Sequence, residues 1–409
     1  MQIAVIIFWF LIFLVFYTYV GYGVFAWCWT RIRELSSKGY PKTPRTEVDP
    51  PGISFIIPAF DEETVIEKKI ANTLSLEYPA DKLKVIVVSD GSTDNTAELV
   101  DTFGNIIHLH ETARKGKAAA LNRAVSHAAT SDILIFSDAN AFLNKEALLM
   151  MISHFHDPSV GGVAGEKKVR RYPGSPLQGE SLYWRYESAL KRIDSGFHTV
   201  VSAAGELFAI RRELCPELPE DTILDDLYIT LSVCMKGYRI VYEPAAFAVE
   251  DPSISVSDEW NRKVRMGAGA FQAIPVFKSL LNPVRSGIVS FQFLSRRVFR
   301  WFVCPLALPL IFLLNILLLF KGTDPVPVYL SLFLIQAAFG LLAMAGWTLR
   351  TRRAGRFRLF HLPFYFIWMN LSMWAGFFRN LQGGQQVTWQ KAVRQPLLPQ
   401  DSRSPEKSG

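Results

Sequence analysis

Hydrophobic residues are concentrated at the two ends of this chain of 409 residues, whereas the central part alternates short apolar and polar stretches. Residues Ile3 to Trp29 carry no charged side chain, and three later runs are apolar: Trp301 to Phe320, Val328 to Leu349 and Leu359 to Phe378. A helix needs about 20 apolar residues to cross a bilayer. The pattern therefore predicts a transmembrane helix at residues 1–30 and a transmembrane region of about three helices at residues 301–378.

Two of these runs have an alternative interpretation. The first run would also suit a cleaved secretory signal, but such signals begin with basic residues, and Met1 and Gln2 are uncharged. A retained anchor is therefore the prediction. The last run contains His361, Pro363 and Asn370, so a helix that lies in the membrane interface is the alternative there.

Basic residues flank the apolar runs and predict their orientation. The three clusters follow the first run, precede the second and follow the third: Arg31 and Arg33; Arg296, Arg297 and Arg300; and the segment RTRRAGRFR. Loops rich in Lys and Arg stay on the cytoplasmic side of a membrane. The central region is therefore predicted to be cytoplasmic, in an integral protein of the cell membrane or inner membrane.

The central region repeats a strand-then-helix pattern four times. Four short apolar runs read as buried strands, and a polar turn and a helical pattern follow each of them: Ile53–Ile57, Lys84–Val88, Ile106–Leu109 and Ile133–Phe136. Such alternation predicts a mostly parallel sheet with helices on both faces. The predicted divisions are a linker at 31–51, this α/β domain at 52–254, interfacial helices at 255–300 and a tail at 379–409.

Polar clusters follow all four predicted strands. They are Asp61-Glu62, Asp90 to Asp94, Lys115 to Lys117 and Asp138 to Asn140. Ligands of such sheets bind beyond the carboxyl ends of the strands. A single cluster is typical of an ordinary turn, but four clusters at the same edge predict a binding site.

The segment Asp138-Ala139-Asn140 is the candidate metal site. Residues two apart on an extended segment point to the same side, so Asp138 and Asn140 can reach one cation. Mg2+ is typically held by one or two carboxylates together with substrate phosphates. The alternative is that these residues only end the strand.

Two further clusters are candidates for binding a nucleotide. Asp90 lies at a strand tip with Gly91 behind it, where a nucleoside can approach closely, although capping of the next helix by Thr93 or Asp94 is the simpler explanation. Lys117 begins a helical run after a glycine, which suits a diphosphate.

The net charge changes the picture little. The excess of Lys and Arg gives a formal charge of +7. Because it is concentrated beside the apolar runs and not along one face of the soluble region, it favours contact with membrane lipid over nucleic acid.

Two charged pairs further along the chain can carry chemistry. Asp225 and Asp226 begin a predicted helix, where carboxylates are favoured by the helix dipole in any case. Adjacent helical residues face different directions, so only one would enter the cleft, where a raised pKa would suit a general base. Arg262 and Arg265 share a helical face and can either hold a diphosphate or contact anionic lipid.

Several of these motifs together resemble glycosyltransferase family 2, the membrane-attached inverting transferases with a GT-A fold. The segments IIPAFDEE, VVSDGSTDNT, RKGKAAALN, FSDAN, AAGELFAIRREL and LDDLYITLSVCMKGYRIVYEPAA stand in the order and at the spacing of that family. The resemblance covers Ile53 to the last apolar run. The segment RKVRMGAG stands where processive polymerases of the family carry Gln-x-x-Arg-Trp. This chain keeps the Arg as Arg265, but it has Arg262 in place of the Gln and Met266 in place of the Trp.

The resemblance assigns roles to individual residues. It implies a catalytic base at Asp226 and an acceptor side formed by Gly205, Glu206 and Asp225. It places the metal ion, Mg2+ or Mn2+, on Asp138 and Asn140. The residues that it assigns to the nucleotide sugar are Pro58, Asp61, Glu62, Asp90, Lys117, Asp138, Arg262 and Arg265.

The resemblance therefore predicts a metal-dependent enzyme that moves a sugar from a nucleotide diphosphate sugar, a UDP-sugar first of all, to a glycan acceptor. An exported polysaccharide or a cell-surface glycan is the expected product. Transfer of a single sugar to a lipid carrier is the alternative. A non-catalytic membrane protein that binds partners is the remote alternative, and the intact carboxylates at Asp90, Asp138 and Asp226 argue against it.

Overall fold

A computed structural model describes residues 1–36, 49–170, 178–251, 256–349 and 358–383 of the chain. Eight strands of this part form one sheet: β1 (Ile53–Ala59), β2 (Leu83–Asp90), β3 (Ile107–Glu111), β4 (Ile133–Phe136), β5 (Phe142–Leu143), β6 (Val160–Val169), β7 (Phe208–Arg211) and β8 (Arg239–Glu250). The four strands predicted from the sequence are all present, and β2 extends to Asp90, two residues beyond its predicted end.

The described residues also form thirteen α-helices. They are α1 (Gln2–Phe16), α2 (Tyr22–Ser36), α3 (Ile66–Leu74), α4 (Thr96–Asp101), α5 (Lys117–His127), α6 (Ala147–Ile152), α7 (Gln178–Phe197), α8 (Asp225–Met235), α9 (Val256–Val276), α10 (Pro283–Phe293), α11 (Cys304–Phe320), α12 (Val326–Leu349) and α13 (Arg358–Leu381). The helix after β1 begins at Ile66 and not near Glu63, because residues 61–65 form a loop instead.

The sheet has a parallel half and a mixed half. Its strand order is β3-β2-β1-β4-β7-β6-β8-β5. The first four strands in this order are parallel, as predicted. In the other half β7 is antiparallel to β4 and to β6, β5 is antiparallel to β8, and β8 is parallel to β6. The prediction rested on strand-helix alternation, which antiparallel neighbours do not require.

Helices cover both faces of the sheet. Ile53, Phe55 and Ile57 of β1 point into a core formed with α3, α4 and α6, whereas Ile56 points to the opposite core, formed with α5 and α8. All four side chains are fully buried. A strand covered on both faces is apolar at every position, which is why the run ISFII was recognisable in the sequence.

Three helical segments of the described chain are long and apolar enough to cross a membrane: Gln2–Leu35, Pro283–Phe320 and Val326–Leu349. The first joins α1 to α2 through a π-helical turn at Tyr17–Gly21. The second contains α10, a π-helical stretch at Leu294–Val303 and α11. Helices long and apolar enough to cross a membrane therefore form at the N-terminal run and at two of the three C-terminal runs.

The last apolar run forms α13, which is not one of these three segments. It packs along α9, and Gly376 lies so close to Gly267 that a Cβ atom at position 376 would come within 2.7 Å of the Gly267 backbone. Small residues at a crossing let two helix backbones touch. Helix α13 is thereby attached to the helix that carries Arg262 and Arg265.

The arginines before the first C-terminal apolar run do not form an exposed basic flank, since Arg296 and Arg297 are buried and Arg300 is half-buried. Arg296 donates to Asp194 (Nε to Oδ2, 2.6 Å) and to Glu187 (Nη2 to Oε2, 3.3 Å) of α7. Arg300 also pairs with Glu187, and Arg297 Nη1 lies 3.8 Å from it. These ion pairs connect the α/β domain to the entrance of the membrane segment.

Candidate active site

The loops after β1 and β2 are joined by hydrogen bonds from the backbone. Asp61 accepts a bond from the Thr93 N–H (2.7 Å) and donates its own N–H to Ser92 Oγ (3.1 Å). The Glu62 N–H donates to Thr96 Oγ1 (2.7 Å). Asp61 has a positive φ of 53°, a conformation that Asp tolerates better than most residues. Asp61 and Glu62 thus fix the shape of this edge, where they were predicted to hold the nucleotide sugar.

Asp90 lies beneath the edge of the site, not on its surface. Its side chain is fully buried, and its carboxylate accepts bonds from the backbone N–H groups of Lys115 (3.2 Å) and Gly116 (2.6 Å). Arg123 lies 3.4 Å from the same carboxylate. Gly116 has a φ of 96°, which favours glycine. Asp90 therefore anchors the loop that leads to Lys117.

An aromatic residue and an arginine stack beside these loops. The Arg114 guanidinium lies 3.5 Å from the centre of the Phe60 ring. Pro58, which the resemblance assigned to the nucleotide sugar, is buried inside β1 opposite Val88 of β2. In the segment IIPAFDEE, Phe60, on which Arg114 stacks, directly follows the end of the strand, whereas Pro58 lies within it.

Lys117 connects the predicted metal ligand to the acceptor side. Its ammonium lies 2.9 Å from Asp138 Oδ1 and 3.2 Å from Asp225 Oδ2. Although burial opposes the charge, Asp138 and Asp225 raise the pKa of Lys117 above its ordinary value. Lys117 therefore stays cationic between two carboxylates that belong to opposite halves of the sheet.

Asp226 lies in the first turn of α8 and is half-buried. Its Oδ1 atom accepts a bond from the Leu227 N–H (2.8 Å). Burial and the neighbouring charge of Asp225 raise the pKa of Asp226 to about 7. Gly205 faces it, since a Cβ atom there would lie 3.9 Å from the Asp226 Cβ. A carboxyl group that exchanges a proton near neutral pH suits a general base.

Beside Asp226 lies a buried ion cluster that the sequence did not reveal. Lys167 pairs with Glu206 and, at 2.8 Å, with Glu250. Burial alone would raise the pKa of Glu206, but the charge of Lys167 lowers it to about 2. Oxygen atoms of Asp138, Glu206 and Glu250 lie within 4.8 Å of one another. Lys167 pairs with both glutamates and Lys117 pairs with Asp138, and Asp138 is the most exposed of the three carboxylates, so an added cation can reach it most easily.

The two arginines of α9 are placed differently. Arg262 forms a double contact with Glu259 of the same helix (Nε to Oε2 and Nη2 to Oε1, both 2.8 Å). Arg265 lies close to the site: its Nη1 is 3.5 Å from the Ile223 carbonyl, and the charges of Asp225, Asp138 and Asp226 act on it. Both residues were predicted to hold the diphosphate, and the structure brings Arg265 to the cluster of aspartates.

The structure thus brings together Lys117, Asp138, Asp225, Asp226 and Arg265, while Asp61, Glu62 and Asp90 support the loops around them. Asn140 is half-buried in the turn after β4. The prediction missed Lys69, Lys167 and Glu250. A signal existed for the first, since Lys69 interrupts the buried stripe of α3 formed by Ile66, Ile70 and Thr73.

Residues 54–218 match the family model described as glycosyl transferase family 2. They form a glycosyltransferase family 2 domain. This match spans the parallel half of the sheet and the predicted metal ligands, and it ends shortly before Asp225 and Asp226.

Curated proteins similar to this chain include two polysaccharide synthases. A poly-beta-1,6-N-acetyl-D-glucosamine synthase of Staphylococcus aureus strain COL is 29% identical over 244 residues, which are 57% of this chain and 58% of that protein. The synthase of the same name from Staphylococcus epidermidis is 26% identical over 233 residues, 54% and 55% of the two chains. The chain thus spans less than two thirds of the length of the curated relatives that it matches.

A solved structure confirms the fold. A mannosyltransferase from Pyrobaculum calidifontis, in complex with GDP-Man and Mn2+, superimposes with a TM-score of 0.68. The superposition covers 93% of this chain and 100% of that one at 24% sequence identity. The mixed sheet with apolar helices at both ends of the chain is therefore a GT-A architecture, as the resemblance predicted.

Proposed function

We propose that this protein is an inverting glycosyltransferase that moves a sugar from a nucleotide diphosphate sugar to a hydroxyl group of an acceptor. One observation carries the proposal. The Asp226 carboxyl, with a pKa raised to about 7, lies beside Gly205 and within the electrostatic reach of Lys117 and Arg265. A base on one side of the site and cations towards the donor side are what a single displacement needs.

In this reaction Asp226 takes the proton from the acceptor hydroxyl. The acceptor oxygen forms a bond to the anomeric carbon of the donor sugar, and the bond from that carbon to the diphosphate breaks. The proton remains on Asp226 and the electron pair leaves with the nucleoside diphosphate. Attack from the face opposite the leaving group inverts the configuration at the anomeric carbon.

The residues at the donor side fit a divalent metal ion. Asp138 offers a carboxylate that is one third exposed (33%) and whose partner is a lysine, not the backbone, and hard divalent cations prefer such oxygen ligands. Asp138, with Asn140 beside it, would hold the metal ion. A bound Mg2+ or Mn2+ would neutralise charge on the departing diphosphate.

Cationic side chains supply the remaining stabilisation of the leaving group. Lys117 remains charged because two carboxylates surround it, and the charges of the same carboxylates act on Arg265. Preorganised charges in a water-poor site act strongly on charge that develops in the transition state. Arg262, held by Glu259, supports the position of α9.

The similarity to the polysaccharide synthases of the two Staphylococcus species supports a polysaccharide or a surface glycan as the product. The proposed donor is a UDP-sugar. Arg31 and Arg33, which follow the first apolar run, support a cytoplasmic catalytic domain, with membrane lipid around the three candidate spans. Transfer of one sugar to a lipid carrier remains the second candidate, because Met266 stands where processive relatives carry Trp.

A donor panel tests the proposal. Full-length protein in detergent or in vesicles is incubated with labelled UDP- and GDP-sugars, with Mn2+, with Mg2+ and with a chelator. We expect transfer from one class of donor that the chelator abolishes. A product that grows with time indicates polysaccharide synthesis, and a product with one added sugar indicates transfer to a lipid carrier. If none of the donors yields a labelled product in membranes that contain the chain's native acceptors, the proposed function is contradicted.

A further inference from the structure

A lysine is completely buried behind the predicted metal site, in a place where an apolar residue would be expected. Lys69 has no exposed surface and lies on the face of α3 that contains Ile66 and Ile70. Its ammonium group is 5.2 Å from the centre of the Phe55 ring. Burying a charged or polar group costs free energy unless it forms hydrogen bonds. The contacts of Lys69 should therefore show why a lysine, and not an apolar residue, stands at this position.

Both hydrogen bonds of Lys69 go to the loop that carries Asp138. The Nζ atom donates to Ser137 Oγ (2.7 Å) and to the Ala141 carbonyl (2.5 Å). These two acceptors lie on either side of the segment Asp138-Ala139-Asn140. One amine therefore fixes the distance between the two ends of the candidate metal-binding turn. A neutral amine has two N–H groups, so this arrangement holds in either protonation state.

A second connection leads from the same amine to the acceptor side. Ser137 Oγ, which accepts from Lys69, donates to the Glu206 carbonyl (2.9 Å). The loop with Gly205 and Glu206 faces Asp226. Ser137 thus links Lys69 to the backbone of Glu206, which lies beside the candidate base. Lys69 itself contacts neither the base nor a candidate metal ligand.

We propose that Lys69 is a positioning residue that holds the Asp138 turn and, through Ser137, the Glu206 loop in register for donor and metal binding. The inference rests on the proposed function. A misplacement of reacting groups by about 1 Å can cost roughly 100-fold in rate. Loss of Lys69 should therefore weaken ligand binding, and because it also leaves the acceptors on Ser137 and Ala141 without this donor, it should lower the stability of the fold as well.

The test compares Lys69→Met with Lys68→Met, since Lys68 is the exposed neighbour on the same helix. Thermal unfolding of the full chain is measured without ligand, with Mn2+, and with Mn2+ together with UDP or GDP. Ligand that binds only the folded state raises the unfolding temperature. We expect Lys69→Met to unfold at a lower temperature than the control without ligand, and to need at least about tenfold more nucleotide for the same rise above its own starting temperature.

Two further measurements separate positioning from a general effect on the fold. Ser137→Ala removes one acceptor of Lys69 without touching the core helix, so it should weaken the response in the wild type and change it little in the Lys69→Met background, because the two residues act together. If Lys69→Met fails to fold, Ser137→Ala alone decides the question, and a response equal to that of the wild type overturns the proposal.

The outcomes also separate this inference from the proposed function. A nucleotide response in Lys69→Met equal to that of Lys68→Met overturns the role of Lys69 and leaves the transferase proposal intact. No response of the wild type to any nucleotide with Mn2+ contradicts the proposed function, and the role of Lys69 in ligand binding falls with it.

Discussion

The two halves of the sheet hold their functional loops by different kinds of contact. In the parallel half, carboxylates bind backbone N–H groups: Asp61 accepts from Thr93 and Asp90 accepts from Gly116. In the mixed half, buried side chains pair with one another, as Lys167 does with Glu206 and Glu250. The first kind of contact fixes the path of a loop, whereas the second fixes the charge around Asp226.

This difference suits the two substrates of the proposed reaction. A donor that is bound by its phosphates and nucleoside needs loops of fixed shape. A base needs a controlled balance of charge, because neighbouring carboxylates set its pKa. Changes in the parallel half should therefore act on donor binding, and changes in the mixed half should act on stability and proton transfer.

Removing the lysine of the buried cluster should have the largest effect on stability. Lys167→Met leaves Glu206 and Glu250 buried without their shared cation, and breaking a buried pair in this way costs about 3–5 kcal/mol. In the folded state the charge of Lys167 lowers the pKa of Glu206 to about 2, from an ordinary value of 4.5, so the stabilisation is present above pH 4.5 and is lost as the pH falls towards 2. Chemical unfolding at several pH values measures the deficit.

The exposed neighbour provides the control for this change. Lys168→Met alters the same kind of side chain at an exposed position on β6. The Lys168 ammonium lies 3.2 Å from the centre of the Phe247 ring, so its loss should change the free energy of unfolding by about 1 kcal/mol or less. A deficit for Lys167→Met no larger than that of Lys168→Met at pH 7 would show that the cluster does not hold the mixed half.

In the parallel half, Asp90→Asn should cost less stability and act on the donor. The amide keeps the shape, but its NH2 group replaces one of the two oxygens that accept from Lys115 and Gly116, so one of these bonds is lost, and a hydrogen bond to a charged group is worth about 1.5–3 kcal/mol. We expect a higher KM for the donor with little change in the KM for the acceptor. Asp81→Asn, at an exposed position, is the control, and equal kinetics of the two variants would refute this role.

A methyl group at position 205 should act on the acceptor only. In Gly205→Ala the added carbon would lie 3.7 Å from Lys117 Nζ and 3.9 Å from the Asp226 Cβ, which are ordinary contact distances. The fold should therefore accept the change, while kcat/KM for the acceptor falls roughly tenfold. Gly104→Ala, where no atom lies within 4 Å of the new carbon, is the control. An unchanged kcat/KM for the acceptor would place the acceptor elsewhere.

The sequence revealed the parallel half better than the mixed half for a physical reason. Strands β1, β2 and β4 are covered on both faces, so their apolar runs are continuous, and the polar residues at their ends meet by the geometry of parallel strands. This rule predicted that Asp138 and Lys117 lie together, and the structure confirms the contact.

The rest of the site depends on tertiary pairing that no local pattern records. Lys167 and Glu250 become partners only because β6 and β8 are neighbours in the sheet. Arg296 appeared to be an exposed flank of a span until α7 supplied Asp194 and Glu187. In the same way, Asp90 resembled a surface ligand because the loop that covers it comes from the next strand-helix unit.

The most direct test of the account is transfer by Asp226→Asn. Loss of a general base usually costs about 10² to 10⁴ in rate, and nucleotide binding should remain within about twofold of the wild type because Asp226 is proposed to act on the acceptor and not on the nucleotide. The wild-type rate should fall as the pH drops below about 7, where Asp226 becomes protonated, and the residual rate of the variant should lack this dependence. A variant that keeps more than about a tenth of the wild-type rate with the same pH dependence would contradict the assignment of Asp226 as the base.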